Sequence, residues 1–296
     1  MRIGLVLSGG LSKGAYQLGF IYSLLKYIDI SEIKVISGSS IGFLNAYALS
    51  IGKLDYIKEL YFSLNCSGKK QLLKKIWTEK YLKMTIEELI RDEEQLRIPL
   101  YMSMTAIPIF NARYYKFEHK ISQCYKKHVK AAVCYPFLGG FPAIIDGKIA
   151  FDGGATDNIP LFPILNDPII KNTLDLIMVL HFDSHYNWRK YFKNEQTNIL
   201  DIDVSYDNNF EKRHFDFSQE NIYKMFNSGL RYGDKICKFL FLEEQEKLIF
   251  EKIKEIEKAE KEKREKSFSI DTLLQFTNFL GRIFRQSNRC IYKTKD

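Results

Sequence analysis

Ser40 stands at the centre of Gly38-Ser39-Ser40-Ile41-Gly42, a G-x-S-x-G pattern whose serine hydroxyl could attack an ester carbonyl. An apolar run, Lys34-Val35-Ile36, precedes it, and a second one, Phe43 to Leu49, follows. A strand, a tight turn and a helix in that order lift a hydroxyl clear of a sheet edge. Gly38 and Gly42 let strand and helix cross closely, since a side chain at either position would collide. A serine hydroxyl alone is a weak nucleophile, so a base and an anion site have to come from elsewhere in the chain.

Ser8-Gly9-Gly10-Leu11-Ser12-Lys13-Gly14 offers the anion site. It follows the strand-like Arg2–Leu7 and opens an amphipathic helix near Gly14 or Ala15. A glycine loop at a helix N-terminus leaves amide N–H groups unpaired, with the positive end of the helix dipole behind them. Such a loop holds a phosphate or a catalytic oxyanion equally well. A Walker loop would need Lys-Ser or Lys-Thr after its last glycine, and here Ala15 and Tyr16 follow Gly14. A dinucleotide fingerprint needs an acidic residue at the end of the second strand, where this chain has Ser37 and then the serine turn. The oxyanion reading is preferred, with the amides of Gly9, Gly10 and Leu11 as donors.

Phe151-Asp152-Gly153-Gly154, continued by Ala155-Thr156-Asp157-Asn158-Ile159-Pro160, reads by itself as a turn. Beside the serine motif it supplies a base. Of the five histidines, His119 and His128 lie in a Lys-rich helical stretch and read as surface positions. His181 ends an apolar run, and His185 and His214 lie in a polar, turn-rich stretch. A carboxylate hydrogen-bonded to the serine can take the proton if desolvation raises its proton affinity. Asp152 is that candidate.

With these motifs in order, the chain resembles a patatin-like phospholipase of the bacterial type. The resemblance rests on Gly9, Gly10, Lys13 and Gly14, on Gly38, Ser40 and Gly42, and on Asp152, Gly153 and Gly154. Ala15-Tyr16-Gln17-Leu18-Gly19 and the stretch with Pro136, Phe141-Pro142 and Asp146-Gly147 also agree, over roughly residues 1 to 182. It implies a Ser–Asp dyad without histidine and a lipid acyl hydrolase of phospholipase A or lysophospholipase type, acting through an acyl-enzyme on phospholipid or another acyl-ester lipid. The same acyl-enzyme permits acyl transfer to an alcohol, and a degenerate lipid-binding module is the non-enzymatic alternative. Lys13 either shapes the loop, attracts a phosphate headgroup or caps it facing solvent. Leu11 departs from the family by replacing a third glycine. If its φ is positive, it carries about 1 kcal/mol or more of backbone strain.

These motifs need a sheet to hold them. Runs at Ile3–Leu7, Lys34–Ile36, Ile98–Thr105 and Leu174–Leu180 predict buried strands, with shorter ones at Arg113–Phe117 and Ala150–Phe151. Helical patterns at Ala15–Ile28, Ile41–Ile51, Leu54–Leu64 and Ile121–Val133 alternate with them. The expectation is an α/β fold, a three-layer α/β/α sandwich around a mainly parallel sheet, with a helical C-terminal extension. Residues 1–182 form the expected catalytic core and 183–219 a lid or an irregular excursion anchored by its aromatics. Residues 220–296 are the extension, helical over 222–266 with a Glu/Lys-rich solvated face.

The chain has 296 residues and a net charge of +8, and 46% of it is hydrophobic. The tail from Ser267 to Asp296 carries Arg282, Arg285, Arg289, Lys293 and Lys295 with an apolar set including Leu273, Phe276, Phe279, Leu280, Ile283 and Phe284. That set predicts a basic amphipathic helix that either lies peripherally on an anionic inner-membrane surface or closes the core. Dispersed basic residues and the lack of a recognition motif argue against nucleic acid. No apolar run reaches eighteen residues, and the start of the chain reads as a strand and not as a signal peptide. Cys66, Cys124, Cys134, Cys237 and Cys290 show neither paired nor metal-ligand spacing, so reduced thiols in a cytoplasm, no metal and no cofactor are expected. Oligomeric state is not legible.

Overall fold

A computed structural model of the chain describes residues 1–63, 84–107, 111–134, 142–193, 195–204, 216–242, 249–266 and 289–294. The strands are β1 (Ile3–Leu7), β2 (Ile33–Gly38), β3 (Leu100–Ile107), β4 (Asn111–Phe117), β5 (Ala143–Ile145), β6 (Lys148–Asp152), β7 (Leu176–His181), β8 (Ile199–Asp203) and β9 (Arg289–Lys293). The helices are α1 (Gly14–Leu24), α2 (Ile41–Ser50), α3 (Leu54–Ser63), α4 (84–91) and α5 (Lys126–Ala132). They continue with the short α6 (Phe162–Leu165), α7 (Pro168–Lys171) and α8 (Trp188–Tyr191), then α9 (Gln219–Phe241) and α10 (Ile249–Lys266).

The strands β2, β1, β7 and β8 lie side by side in parallel, and β2 continues the parallel run onto β3. Their residues are apolar on both faces because both are covered. Ile3, Leu5 and Leu7 pack into one core with α1, α2 and α9, while Val6, Val35, Ile177 and Val179 pack into a second with Ile159, Leu161 and Ile164. The result is the three-layer α/β/α arrangement expected from the alternating pattern.

β3 has an unusual number of neighbours. β4 runs antiparallel along one of its edges, from Leu100↔Phe117 to Ala106↔Asn111. The other edge is shared: β2 occupies it up to Gly38↔Met102, and β6 arrives from the opposite direction, from Ile107↔Ile149 to Met104↔Asp152. β2 and β6 therefore meet head to head along a single edge. Both strands end there, and each is followed at once by one of the sequence motifs.

Four expectations are corrected. Helix over Ile121–Val133 is confined to α5 after a 3-10 turn at Gln123–Tyr125. The stretch expected as lid or excursion contains β8, which completes the sheet beside β7, while Tyr186 and Trp188 are buried in the second core. The free edge of β7 recruits Ile199, Leu200 and Ile202, a short apolar run hidden among polar neighbours. Residues 205–215 of that stretch lie outside the described residues. In the tail, Arg289 and Lys293 belong to strand β9, paired in parallel with β4. The unpaired edge of β4 outweighs the helical pattern there, and the apolar set at 273–284 lies outside the described residues. The single helical run expected over 222–266 is interrupted, because α9 ends at Phe241 with Leu242 as its C-cap.

α9 is locked to α1 by glycines. A Cβ at Gly19 would lie 2.0 Å from the Phe226 carbonyl oxygen, and one at Gly229 would lie 2.0 Å from the Tyr16 carbonyl oxygen. The two helices cross backbone to backbone, which fixes the helix that begins at the glycine loop. Among the described residues, no helix is long and apolar enough to cross a membrane.

Candidate active site

The turn after β2 holds Ser40 at φ 53°, ψ −127°, a conformation that non-glycine residues rarely adopt. Crowding enforces it. A Cβ at Gly38 would lie 2.5 Å from the Phe43 Cα, and one at Gly42 would lie 2.5 Å from the carbonyl oxygens of Leu7 and Ser8. The sharp turn directs the half-buried Ser40 hydroxyl across the gap between β2 and β6, where it donates to Asp152 Oδ2 at 2.5 Å.

Asp152 is fully buried. Its Oδ1 accepts the Gly154 amide at 2.8 Å, and its backbone is pinned through Asp152 N–H to the Cys134 carbonyl and through Thr105 Oγ1 to the Asp152 carbonyl at 2.7 Å. Desolvation pushes its carboxyl up to about 7 from the usual 3.8, against the opposing hydrogen bonds from Ser40 and Gly154. A carboxyl so placed is partly ionised near neutrality and is a stronger base than a solvated aspartate. Gly153 fits because a Cβ there would lie 2.2 Å from Ser103 Oγ, on the β3 residue between the two strand ends.

The glycine loop approaches from the neighbouring end of β1. Gly9 N–H donates to the Asn158 carbonyl at 3.2 Å, and Asn158 Nδ2 donates back to the Gly9 carbonyl at 3.3 Å. Gly9 is thereby tied to the segment after Asp152, and its amide is already used. The Gly10 and Leu11 amides have no hydrogen-bond acceptor among the described residues and stand at the start of the turn that leads into α1. Leu11 takes φ 54°, so the condition for backbone strain at this position is met. Lys13 is 1% exposed, with Nζ 5.2 Å above the Phe182 ring, so it is no solvent-facing cap. Gly14 opens α1 with its carbonyl accepting from Asn45 Nδ2 at 2.9 Å.

A family model described as patatin-like phospholipase matches residues 5–165, more than half of the chain. The chain belongs to the patatin-like phospholipase family. An uncharacterized protein of Acanthamoeba polyphaga mimivirus is 27% identical to it over 200 residues, covering 60% of this chain and 65% of that protein. The chain thus spans a little under two thirds of that curated relative. Among solved structures, VipD from Legionella pneumophila aligns at 16% identity and a TM-score of 0.39, over 95% of this chain and 79% of VipD. The type III effector ExoU aligns at 14% identity and a TM-score of 0.28, over 88% of this chain and 61% of that one.

In this patatin-like chain the side chain of His181 is engaged away from Ser40. His181 Nε2 is 2.7 Å from Asp201 Oδ1, and its Nδ1 accepts the Asp183 amide, so both ring nitrogens are occupied within a buried cluster. His128, expected at the surface, is half-buried with its ring against Tyr115. Among the described residues no group of histidine, cysteine or acidic side chains could hold a metal ion. Sequence reasoning missed the supports of the loop. Buried Gln17 donates to the Ser8 carbonyl at 2.6 Å and accepts from Asn45 Nδ2 at 3.2 Å, tying the loop to both helices. Phe182 was also missed: it closes over the loop, and a Cβ at Gly10 would lie 2.7 Å from its ring. Two polar residues at apolar positions, Gln17 in α1 and Asn45 in α2, were the signal for that network.

Proposed function

We propose that this chain hydrolyses fatty-acyl esters of phospholipids or related lipids, with Ser40 as nucleophile and Asp152 as general base. The observation that carries the reading is the 2.5 Å hydrogen bond from Ser40 to a fully buried Asp152 whose carboxyl is pushed up to about 7. The substrate class follows from the family, and a phospholipase A or lysophospholipase specificity accords with it.

In the first half-reaction Asp152 Oδ2 takes the hydroxyl proton as Ser40 Oγ bonds to the ester carbonyl carbon. The oxygen of that carbonyl becomes an oxyanion, which the free amides of Gly10 and Leu11 stabilise from the start of α1. Gly9 shapes the loop through Asn158 and supplies no donor. Collapse of the intermediate breaks the bond to the alcohol oxygen, which leaves with the proton from Asp152. In the second half-reaction Asp152 removes a proton from water, hydroxide attacks the acyl-enzyme, and the fatty acid departs as Ser40 regains its proton. Burial serves both steps, because a solvated aspartate would hold a proton too weakly to assist.

Ser40→Ala and Asp152→Asn test the reading. Both variants are expected to keep the wild-type circular dichroism and lose at least about a thousandfold in turnover of a soluble short-chain ester. A fluorophosphonate should label Ser40 in the wild type and leave Ser40→Ala unlabelled. Wild-type turnover in folded Ser40→Ala would overturn the assignment.

A further inference from the structure

The β5–β6 hairpin carries the least protected isoleucines of the sheet. Ile144 is 75% exposed and Ile149 42% exposed, and the two are cross-strand partners. Ile149 in turn pairs with the half-buried Ile107 of β3. Residues in register point to the same face. Ile107, Ile149 and Ile144 therefore form one apolar row, increasingly exposed toward β5. Ile145, on the opposite face, is buried in the core that also holds Val129 and Ala132 of α5. The hairpin thus has a buried side that fixes it and an apolar side facing water.

Its position matters as much as its composition. β3 runs on past the last residue of β2, from Met102 to Ile107, and β6 and β5 lie along that overhang. The overhang is roughly 16 Å long and stands at the carboxyl ends of the parallel strands, the end at which Ser40 and the glycine loop open. Along β6 the path from exposed Ile149 to Asp152 is three residues, roughly 10 Å. Other large apolar side chains that are exposed among the described residues, such as Ile169 and Leu242, have no exposed apolar cross-strand partner. Ile169 lies on α7, which precedes β7 and so sits at the other end of the sheet.

We infer that the β5–β6 hairpin docks the protein on a lipid surface, with Ile144 and Ile149 entering the apolar boundary and Ser40 held within reach of lipid esters. The inference rests on the reading of the chain as a lipid acyl hydrolase. A bilayer fits as occupant because the row projects from the substrate side and the whole chain carries a net charge of +8. At the hairpin tip the exposed Asp146 is paired with Arg113, which offsets its negative charge. A second copy of the chain fits less well, because a three-residue edge strand offers few backbone groups for pairing.

The test uses the full chain and vesicles of phosphatidylcholine with phosphatidylserine. Wild type, Ile144→Asp/Ile149→Asp and Ile144→Trp are sedimented with vesicles, and soluble-ester turnover, thermal melting and solution mass are read on the same samples. The double variant is expected to lose about tenfold or more in the ratio of bound to free protein, with vesicle-lipid hydrolysis falling alongside. Its soluble-ester turnover and melting should match wild type, and Ile144→Trp should bind more tightly than wild type. Unchanged vesicle binding by a folded double variant overturns the inference, and so does a lack of gain in Ile144→Trp should the double variant fail to fold. A wild-type dimer that the double variant dissociates, with vesicle binding intact, assigns the row to a second copy and overturns it as well. If wild type leaves the soluble ester untouched while the double variant still loses vesicle binding, the hydrolase reading alone fails and the docking surface stands.

Discussion

At the scale of single residues, the proposed chemistry turns on the ionisation of Asp152. Only the ionised carboxylate can accept the Ser40 proton, and burial pushes its carboxyl up to about 7. Turnover of a soluble ester should therefore rise as pH climbs through about 7 and level off above it, and kcat/KM against pH reads that limb directly. A limb near 4 would mean that Asp152 is solvated in the working enzyme. The same shift acts on stability. The raised value means that the folded state favours the protonated carboxyl, so this stabilisation is full below the unfolded value of 3.8 and is lost as pH rises through about 7. Asp152→Asn, which never ionises, should accordingly lose less stability than wild type between pH 4 and 8 in urea titrations. Leu11 supplies a second residue-scale prediction. Its φ of 54° strains any residue with a Cβ, so Leu11→Gly should be more stable than Leu11→Ala by about 1 kcal/mol. The two truncations lose nearly the same packing, and the difference between their urea midpoints isolates the backbone term.

At the scale of elements, the glycine loop depends on α1, and α1 depends on α9. Their crossing leaves no space for a side chain, since a Cβ at Gly229 would lie 2.0 Å from the Tyr16 carbonyl oxygen. Backbone cannot rotate away as a side chain does, so Gly229→Ala has to push the helices apart. A loss of about 1–3 kcal/mol is expected in chemical denaturation. Because α1 begins at Gly14, turnover should fall by more than the folded fraction accounts for. Stability and turnover at wild-type levels would show that the crossing is looser than this geometry. The proximity of Ser40 to Asp152 is likewise an element-scale property. It follows from β2 and β6 sharing one edge of β3, with neither loop required to reach far.

At the scale of the whole molecule, the chain closes its sheet with residues remote in sequence from the rest. β9 pairs with β4 from Ala112↔Arg289 to Lys116↔Lys293, Tyr292 stacks on Tyr115 with ring centroids 5.2 Å apart, and Thr294 Oγ1 donates to the Lys116 carbonyl at 2.6 Å. Removing the chain from Arg289 onward uncovers the β4 edge and the Arg113–Tyr292 contact. That truncation should lower stability by roughly 2–4 kcal/mol, seen as a melting point several degrees lower, and should promote aggregation through the free edge. Since β4 lies on the far edge of β3 from Ser40, turnover of a soluble ester well below the melting point should change little.

By itself, the sequence determined the parts whose physics is local. Apolar runs marked β1, β2, β3 and β7, because strands buried on both faces must be continuously hydrophobic. Gly38, Gly42, Gly153 and Gly154 marked the turns, because close backbone approach excludes side chains wherever they occur. What only the tertiary structure decided are relations between distant segments. The pairing of Gly9 with Asn158 is one, and it removes one amide from the expected set of oxyanion donors. The burial of Lys13 under Phe182 is another, since a lysine reads as exposed until something covers it. β8 and β9 were hidden because both are edge strands, chosen by the unpaired backbone groups of β7 and β4 more than by any pattern of their own. Three-residue β5 carries too few side chains to show a period, so the exposed isoleucine row emerges only once β3, β6 and β5 are aligned in register.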